Sequence, residues 1–202
     1  MDADQTRASI LEAADALFGQ LGFDATTTRD IAERSGVNKA LIHYHFGTKD
    51  ELLDAVLEGY YGKLGATLTA ALAKPKTLVG QVEALLDTYA DFLAEHVSFT
   101  RIVQREVASG RHVQRIVQRT LPLFQLGVSW FHASVPKPPR DLDAVNVLTS
   151  AYGLVVTYFT YGEVLQELTG ADPFSPTALA ARKRHVKKVL SLMLDEVERR
   201  SA

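Results

Sequence analysis

Cysteine is absent from the 202 residues, which excludes disulfides, thiolate metal ligands and a cysteine nucleophile. Other signatures of catalysis are missing as well: there is no HExxH pattern, no glycine-rich phosphate loop and no serine in a nucleophile elbow. The histidines are scattered, and His43 and His45, two apart on a helix, point to different faces and make a poor metal pair. No catalytic residue, metal site or cofactor is therefore expected. Long apolar runs are scarce. The one charge-free stretch approaching membrane length, Ala144 to Gly162, contains Asn146, Thr149, Ser150, Thr157 and Thr160 and lacks basic anchors. It reads as a helix buried on two sides, not as a membrane span. The opening MDADQTRAS is acidic and polar, unlike a signal or transit peptide, so the cytoplasm is the expected location. Positive charge is also short: the formal net charge is −2, and acids outnumber bases in residues 1–50.

What is present is a helical chain, 47% apolar and without strand alternation. Its densest signal runs from Thr26 to Leu53, TTTRDIAERSGVNKALIHYHFGTKDELL. Thr27 and Asp30 form a capping box that starts a helix at about Thr28, with Ile31 and Ala32 inward. Gly36 supplies the left-handed residue that ends it. Asn38 caps a second helix from Lys39 to Phe46, Gly47 stops it, and Thr48 with Glu51 caps a third. On the second helix Ile42 and Phe46 form an apolar row. Lys39 and His43, with Ala40 and Tyr44 beside them, form exposed rows carrying a cation, two hydrogen-bonding rings and a small side chain. That face suits base edges and phosphates, and the pattern is a helix-turn-helix whose partner is double-stranded DNA.

The run from Ala8 to Leu53 resembles the DNA-binding domain of the tetracycline-repressor (TetR) family of bacterial transcription regulators. The resemblance rests on Ile10, Ala13, Ala14, Leu17, Phe18 and Leu21, on Gly22-Phe23, Ala25-Thr26-Thr27, Asp30-Ile31-Ala32 and Gly36-Val37, and on His45-Phe46 and Lys49. It implies that Lys39, Ala40, His43 and Tyr44 face the major groove and that Thr27, His45 and Lys49 contact phosphates. Thr28, Arg29 and Asn38 complete the candidate DNA-binding set. Ala40 stands where glycine is common in the family, and His43 where tyrosine is common. Both bear on the operator sequence, and His43 introduces a group that titrates near neutrality.

The expected architecture is all-α, with a three-helix helix-turn-helix domain over residues 1–48 and a helical ligand-binding and dimerisation domain over 49–202. Beyond the motif the pattern predicts helices from Lys49 to Ala73, stopping at Lys74-Pro75, from Leu78 to His96, and from Phe99 to Ala108. Further helices are predicted from Arg111 to Ala133, kinked or split at Pro122, from Asp141 to Thr169, and from Pro176 to Arg199. The helices at 141–169 and 176–199 would pair with those of a second subunit, the usual dimerisation mode of the resembling family. The basic run Arg182, Lys183, Arg184, Lys187 and Lys188 interleaves with an apolar stripe and reads as a solvated face.

Phe92, His96, Phe99, Ile102, Glu106, Phe124, Trp130, Tyr152 and Tyr158 are the candidate lining of an effector pocket, which the resemblance implies among the middle helices. Glu106 either takes a partner, for which Arg105 or a cationic ligand is a candidate, or simply lies at the surface. The function expected is a dimeric repressor released from a pseudo-palindromic operator by a small, mostly apolar effector of unknown identity, the helix from Lys49 transmitting the change. The rivals are a ligand-independent architectural DNA binder and a helical interaction protein without DNA contacts. The acidity of residues 1–50 predicts weak non-specific DNA binding. RIVQR at 101–105 and 115–119 is not sustained as a repeat and reads as coincidence.

Overall fold

The computed structural model describes residues 2–73 and 77–201, so the expected stop at Lys74-Pro75 lies outside the described residues. Among them the chain forms ten α-helices, one 3-10 turn and no strand. In order these are α1 (Ala3–Leu21), α2 (Thr28–Ser35), α3 (Lys39–Phe46), α4 (Lys49–Leu72), α5 (Leu78–Glu95), α6 (Val97–Ser109) and α7 (Val113–Ser134). After a 3-10 turn at Arg140–Leu142 come α8 (Ala144–Thr160), α9 (Gly162–Thr169) and α10 (Pro176–Ser201). No helix among the described residues is long and apolar enough to cross a membrane. The contacts define two units, Met1–Lys63 with His96–Arg119, and Leu64–Glu95 with Thr120–Ala202.

The first unit is built on α1, whose Ile10, Ala13, Ala14, Leu17 and Phe18 recur at helical spacing and are buried with Ile31, Ile42, Phe46, Leu52, Leu53 and Leu57. Burying each of the larger aliphatic side chains contributes about 1.5–3 kcal/mol, which fixes these short helices far better than their own propensity does. Ser9 Oγ donates to Ser35 O at 3.0 Å, tying α1 to the end of α2. On its other side α1 meets α6 at Gly19, where an added Cβ would lie 2.9 Å from Ser98 Cβ, so only glycine fits.

The second unit gathers Phe131, Val135, Ala144, Val147, Leu194 and Val197 into a core, flanked by Val79 and Val82 of α5 and by Trp130 and Met193. Here α10 shows the expected stripe, with Val186, Leu190, Leu194 and Val197 buried. The basic run, expected to be solvated, divides. Lys187 Nζ lies 2.6 Å from Asp87 Oδ2, Lys183 pairs with Asp91, and Arg182 donates to Leu154 O at 2.6 Å, while Arg184 and Lys188 remain exposed. The reason is that α5 presents Asp87 and Asp91 one turn apart.

Two helix boundaries differ from expectation. The helix expected over 141–169 is a 3-10 turn followed by α8 and α9, broken at Tyr161. Gly162 is buried against the Phe174 ring, which occupies the space a Cβ would need, and Phe174 stacks on Phe159 with centroids 5.6 Å apart. Packing of that loop, not a local breaker, ends α8. Pro122 does not split its helix, because α7 runs unbroken through it. The ring removes one N–H, and the bonds on either side continue the helix.

Candidate nucleic-acid interface

The helix-turn-helix is assembled by local chemistry. Thr27 Oγ1 accepts the Asp30 N–H at 3.1 Å, and Asp30 Oδ2 accepts the Thr27 N–H at 2.8 Å and its hydroxyl at 2.7 Å. Those bonds, the hydroxyl first and then the N–H, hold the Asp30 carboxyl below its usual range. At the other end Gly36 adopts φ 69°, ψ 21°, and Val37 N–H reaches Ala32 O at 3.2 Å. Asn38 Oδ1 accepts the Ala40 N–H at 2.9 Å and opens α3. Gly47 closes it, and Thr48 and Glu51 form a reciprocal cap for α4 with bonds of 2.8 and 3.1 Å. The Thr48 N–H, then its hydroxyl, lowers the Glu51 carboxyl.

On α3 the faces separate as the periodicity predicts. Ile42 and Phe46 are buried, while Lys39, Ala40, His43 and Tyr44 are exposed, Tyr44 to 81%. His45 is half-buried, its ring 5.1 Å from that of Tyr44. Leu41 is also exposed, beside Ala40, and was not among the expected contacts. Arg29, exposed at the start of α2, pairs with Glu33 at 3.0 Å, and Thr28 next to it is half-buried.

Two of the expected phosphate contacts are engaged internally. Thr27 has its hydroxyl and N–H inside the capping box. Lys49 turns its ammonium inward, donating to Phe23 O and Thr26 O at 2.8 Å each, with Nζ 4.1 Å from the Phe23 ring centroid. It fastens the start of α4 to the loop between α1 and α2.

Two of the acids in residues 1–50, Asp24 and Asp50, and two more on α4, Asp54 and Glu58, are paired with arginines from later in the chain. Arg111 pairs with Asp24. Arg115 reaches Asp50 at 3.0 Å and also Asp54, while Arg119 reaches Asp54 at 2.9 Å and Glu58 at 3.5 Å. Asp15 accepts from the Tyr60 hydroxyl at 2.7 Å; burial raises the Asp15 carboxyl, and burial together with that bond raises the Tyr60 phenol. Sequence reasoning missed this set. The signal that could have found it is the duplicated RIVQR, because both copies bury their isoleucine, Ile102 and Ile116, and turn arginines onto the first unit's helices. Arg105, in the first copy, donates to Gly19 O at 3.2 Å.

The nine candidate effector residues divide between the two units. His96, Phe99, Ile102 and Glu106 belong to the first unit, and Phe92, Phe124, Trp130, Tyr152 and Tyr158 to the second. Phe99 packs on the Tyr60 and Tyr61 rings at 5.0 and 5.2 Å, and the His96 ring lies 5.4 Å from that of Tyr60. Glu106 is bonded not to Arg105 but to His112, 2.5 Å away. In the second unit Tyr152 lies between Tyr89 and Phe124, with centroids at 6.2 and 5.6 Å, and burial raises its phenol. Trp130 Nε1 donates to Gln81 at 3.2 Å, and the Tyr158 hydroxyl donates to Pro173 O at 2.6 Å. A shallow groove between α5 and α10 is lined by Val79, Val82, Leu86, Lys187, Leu190 and Leu194 among others, and by none of the nine. Among the described residues no three acids or histidines cluster as a metal site would require.

Residues 10–56 match the family described as bacterial regulatory proteins, tetR family. The chain is 34% identical over 169 residues to the HTH-type transcriptional repressor Rv3405c of Mycobacterium tuberculosis, covering 84% of this chain and 80% of that one. It is 32% identical over 105 residues, half of each chain, to the HTH-type transcriptional repressor KstR2 of Rhodococcus jostii. Among solved structures, the ketosteroid transcriptional regulator KstR2 of Mycobacterium tuberculosis superposes with a TM-score of 0.69 at 21% identity, covering 95% of this chain and 94% of that one. The fatty acid degradation regulator FadR of Bacillus halodurans superposes with a TM-score of 0.76 at 16% identity, covering 92% and 94%. At those identities the structures establish a shared fold.

Proposed function

Because this chain belongs to the tetR family of bacterial regulatory proteins, and so is a helix-turn-helix transcriptional regulator, we propose that it is a repressor. In this reading a dimer binds a pseudo-palindromic operator and leaves it when a small, mostly apolar effector binds. The observation that carries the reading is the exposed face of Lys39, Ala40, His43 and Tyr44 on a helix anchored through buried Ile42 and Phe46. The second helix of such a motif lies in the major groove. There Lys39 and His43 meet base edges or phosphates, the Ala40 methyl allows close approach, and Tyr44 contacts the backbone. Thr28, Arg29, Asn38 and His45 flank the groove. Thr27 and Lys49 act chiefly by fixing α2 and α4 beside the phosphates.

Val145, Val164, Leu168 and Leu192, exposed apolar residues on α8, α9 and α10, support dimerisation through residues 141–169 and 176–199. A two-fold dimer would present two recognition helices to two half-sites. Two structural relatives are named for a ketosteroid and for fatty acid degradation, which supports an apolar effector class. Such an effector releases DNA only by binding the two conformations unequally. We place the protein in the cytoplasm with its operator.

Selection of bound duplexes from a random pool tests the reading. Enrichment of one inverted repeat is the expected result, and recovery of no palindrome overturns it.

A further inference from the structure

We propose that His43 reads an operator base through Nε2, as an acceptor when the ring is neutral and as a donor when it is protonated. The charge state of one side chain would then select the base it matches. The inference rests on the reading of α3 as the recognition helix.

His43 Nδ1 lies 2.7 Å from Gly47 O. A carbonyl oxygen only accepts, so Nδ1 carries the hydrogen and donates it. In a neutral imidazole the other nitrogen then has a lone pair and no hydrogen. Gly47 in turn donates its N–H to His43 O at 2.9 Å, and its φ of 72° sets the carbonyl where the ring meets it. Ring and glycine are thus joined in both directions. The side chain is exposed, and Nε2 lies on the ring edge away from the carbonyl.

In the major groove a hydrogen for Nε2 comes from adenine N6 or cytosine N4. Guanine N7 and O6, thymine O4 and phosphate oxygens only accept. The neutral ring therefore matches adenine or cytosine and is mismatched to guanine. Protonation places a hydrogen on Nε2, which then matches guanine N7 or O6, thymine O4 or adenine N7 and is mismatched to cytosine, whose major-groove edge only donates. A tyrosine hydroxyl at this position could rotate to donate or accept and would not discriminate in this way.

The surrounding charges are few. Lys39 lies one turn earlier on the same row, and His45 follows on the neighbouring face. At the start of α4 the Glu51 carboxylate, held by Thr48, lies beside Gly47. On α2, Asp30 is closed in its cap and Arg29 pairs with Glu33, and Arg7 of α1 covers the Phe46 ring.

Nitrogen chemical shifts of the His43 ring in the free protein at about pH 8 test the lock directly. The expected result is a protonated Nδ1 and a bare Nε2; a protonated Nε2 overturns the inference. Selection from a random duplex pool at about pH 8 and about pH 5.5 then tests the reading of bases. The wild type is expected to accept cytosine at one position of each half-site at the higher pH and to exclude it in favour of guanine at the lower. The relative affinities there should change by about tenfold or more. His43→Arg should select guanine at both pH values and His43→Gln adenine at both. A cytosine-versus-guanine preference that is the same at both pH values in the wild type overturns the inference while the palindrome stands. Recovery of no inverted repeat overturns the underlying reading as well.

Discussion

Glu106 and His112 meet in the interior, Oε2 2.5 Å from Nδ1, with 5% and 6% of each residue exposed. The far side of the imidazole, Nε2, lies 3.3 Å from Asp50 Oδ1 in the first turn of α4, and the ring stands edge-on to Phe23 at 4.6 Å. One side chain thus joins α6 to the helix that follows the recognition helix. His112→Ala would leave a buried carboxylate without its donor, and breaking such a pair from one side costs about 3 kcal/mol. Urea unfolding should show that loss, with His112→Gln recovering part of it. A His112→Ala protein as stable as the wild type would mean that Glu106 is reached by water.

Gly36 and Gly47 both end helices at positive φ, but substitution should not cost the same at each. Gly36, at φ 69° and ψ 21°, lies in the left-handed helical region with open space around its Cα. Gly36→Ala should therefore cost about 1 kcal/mol, the ordinary penalty for that conformation. Gly47 combines φ 72° with ψ −96°, and a Cβ there would strike the Glu51 carboxylate that caps α4. Gly47→Ala should be at least twice as destabilising and should lower operator affinity as well. Thermal unfolding of the two variants side by side gives the comparison; equal shifts would show that the α4 cap adjusts freely.

That contrast bears on what the sequence made legible. The edges of α2 and α3 and the start of α4 were readable because each is set by groups within four residues: Thr27 with Asp30, Asn38 with Ala40, Thr48 with Glu51. The inward face of α3 was readable from its period. The partners of Asp24, Asp50 and Asp54 were not, because Arg111, Arg115 and Arg119 lie some sixty to ninety residues away and meet them only through packing. Glu106 had as candidates in prospect its neighbour Arg105, a cationic ligand or plain exposure to solvent. The Gly110 turn, at φ 71°, instead brings His112 back onto it. The end of α8 was hidden for the same reason, since Phe174 arrives from beyond α9.

Lys39 and Lys49 should separate by the property that each changes. Lys39 is exposed on the recognition face, so Lys39→Ala should weaken operator binding and lower the salt slope, d log K against d log salt, by about one. Lys49 is held by two carbonyls and the Phe23 ring, so Lys49→Ala should cost about 2 kcal/mol of stability and leave the slope unchanged. A reduced slope for Lys49→Ala, measured where the variant is fully folded, would return Lys49 to the phosphate contacts.

Acid should loosen the helix-turn-helix through its caps, with a sign opposite to that of Asp15. The carboxyls of Asp30 and Glu51 are lowered in the folded chain by Thr27 and Thr48. A group whose folded pKa is depressed contributes fully above the ordinary carboxylate range. That contribution fades as pH falls through the depressed value. The stability gap between the wild type and Asp30→Asn or Glu51→Gln should accordingly be widest near neutrality and close in strong acid. For Asp15 burial outweighs the Tyr60 bond and raises the carboxyl, so its protonated form is the favoured one. Its contribution is present below the unfolded pKa and is lost as pH rises through the folded value. Asp15→Asn should therefore gain on the wild type as pH rises across that window, the reverse of the cap variants. Denaturant midpoints taken across a pH series for all three variants read both signs at once, and parallel curves for Asp15→Asn and Asp30→Asn would exclude burial as the dominant influence on Asp15.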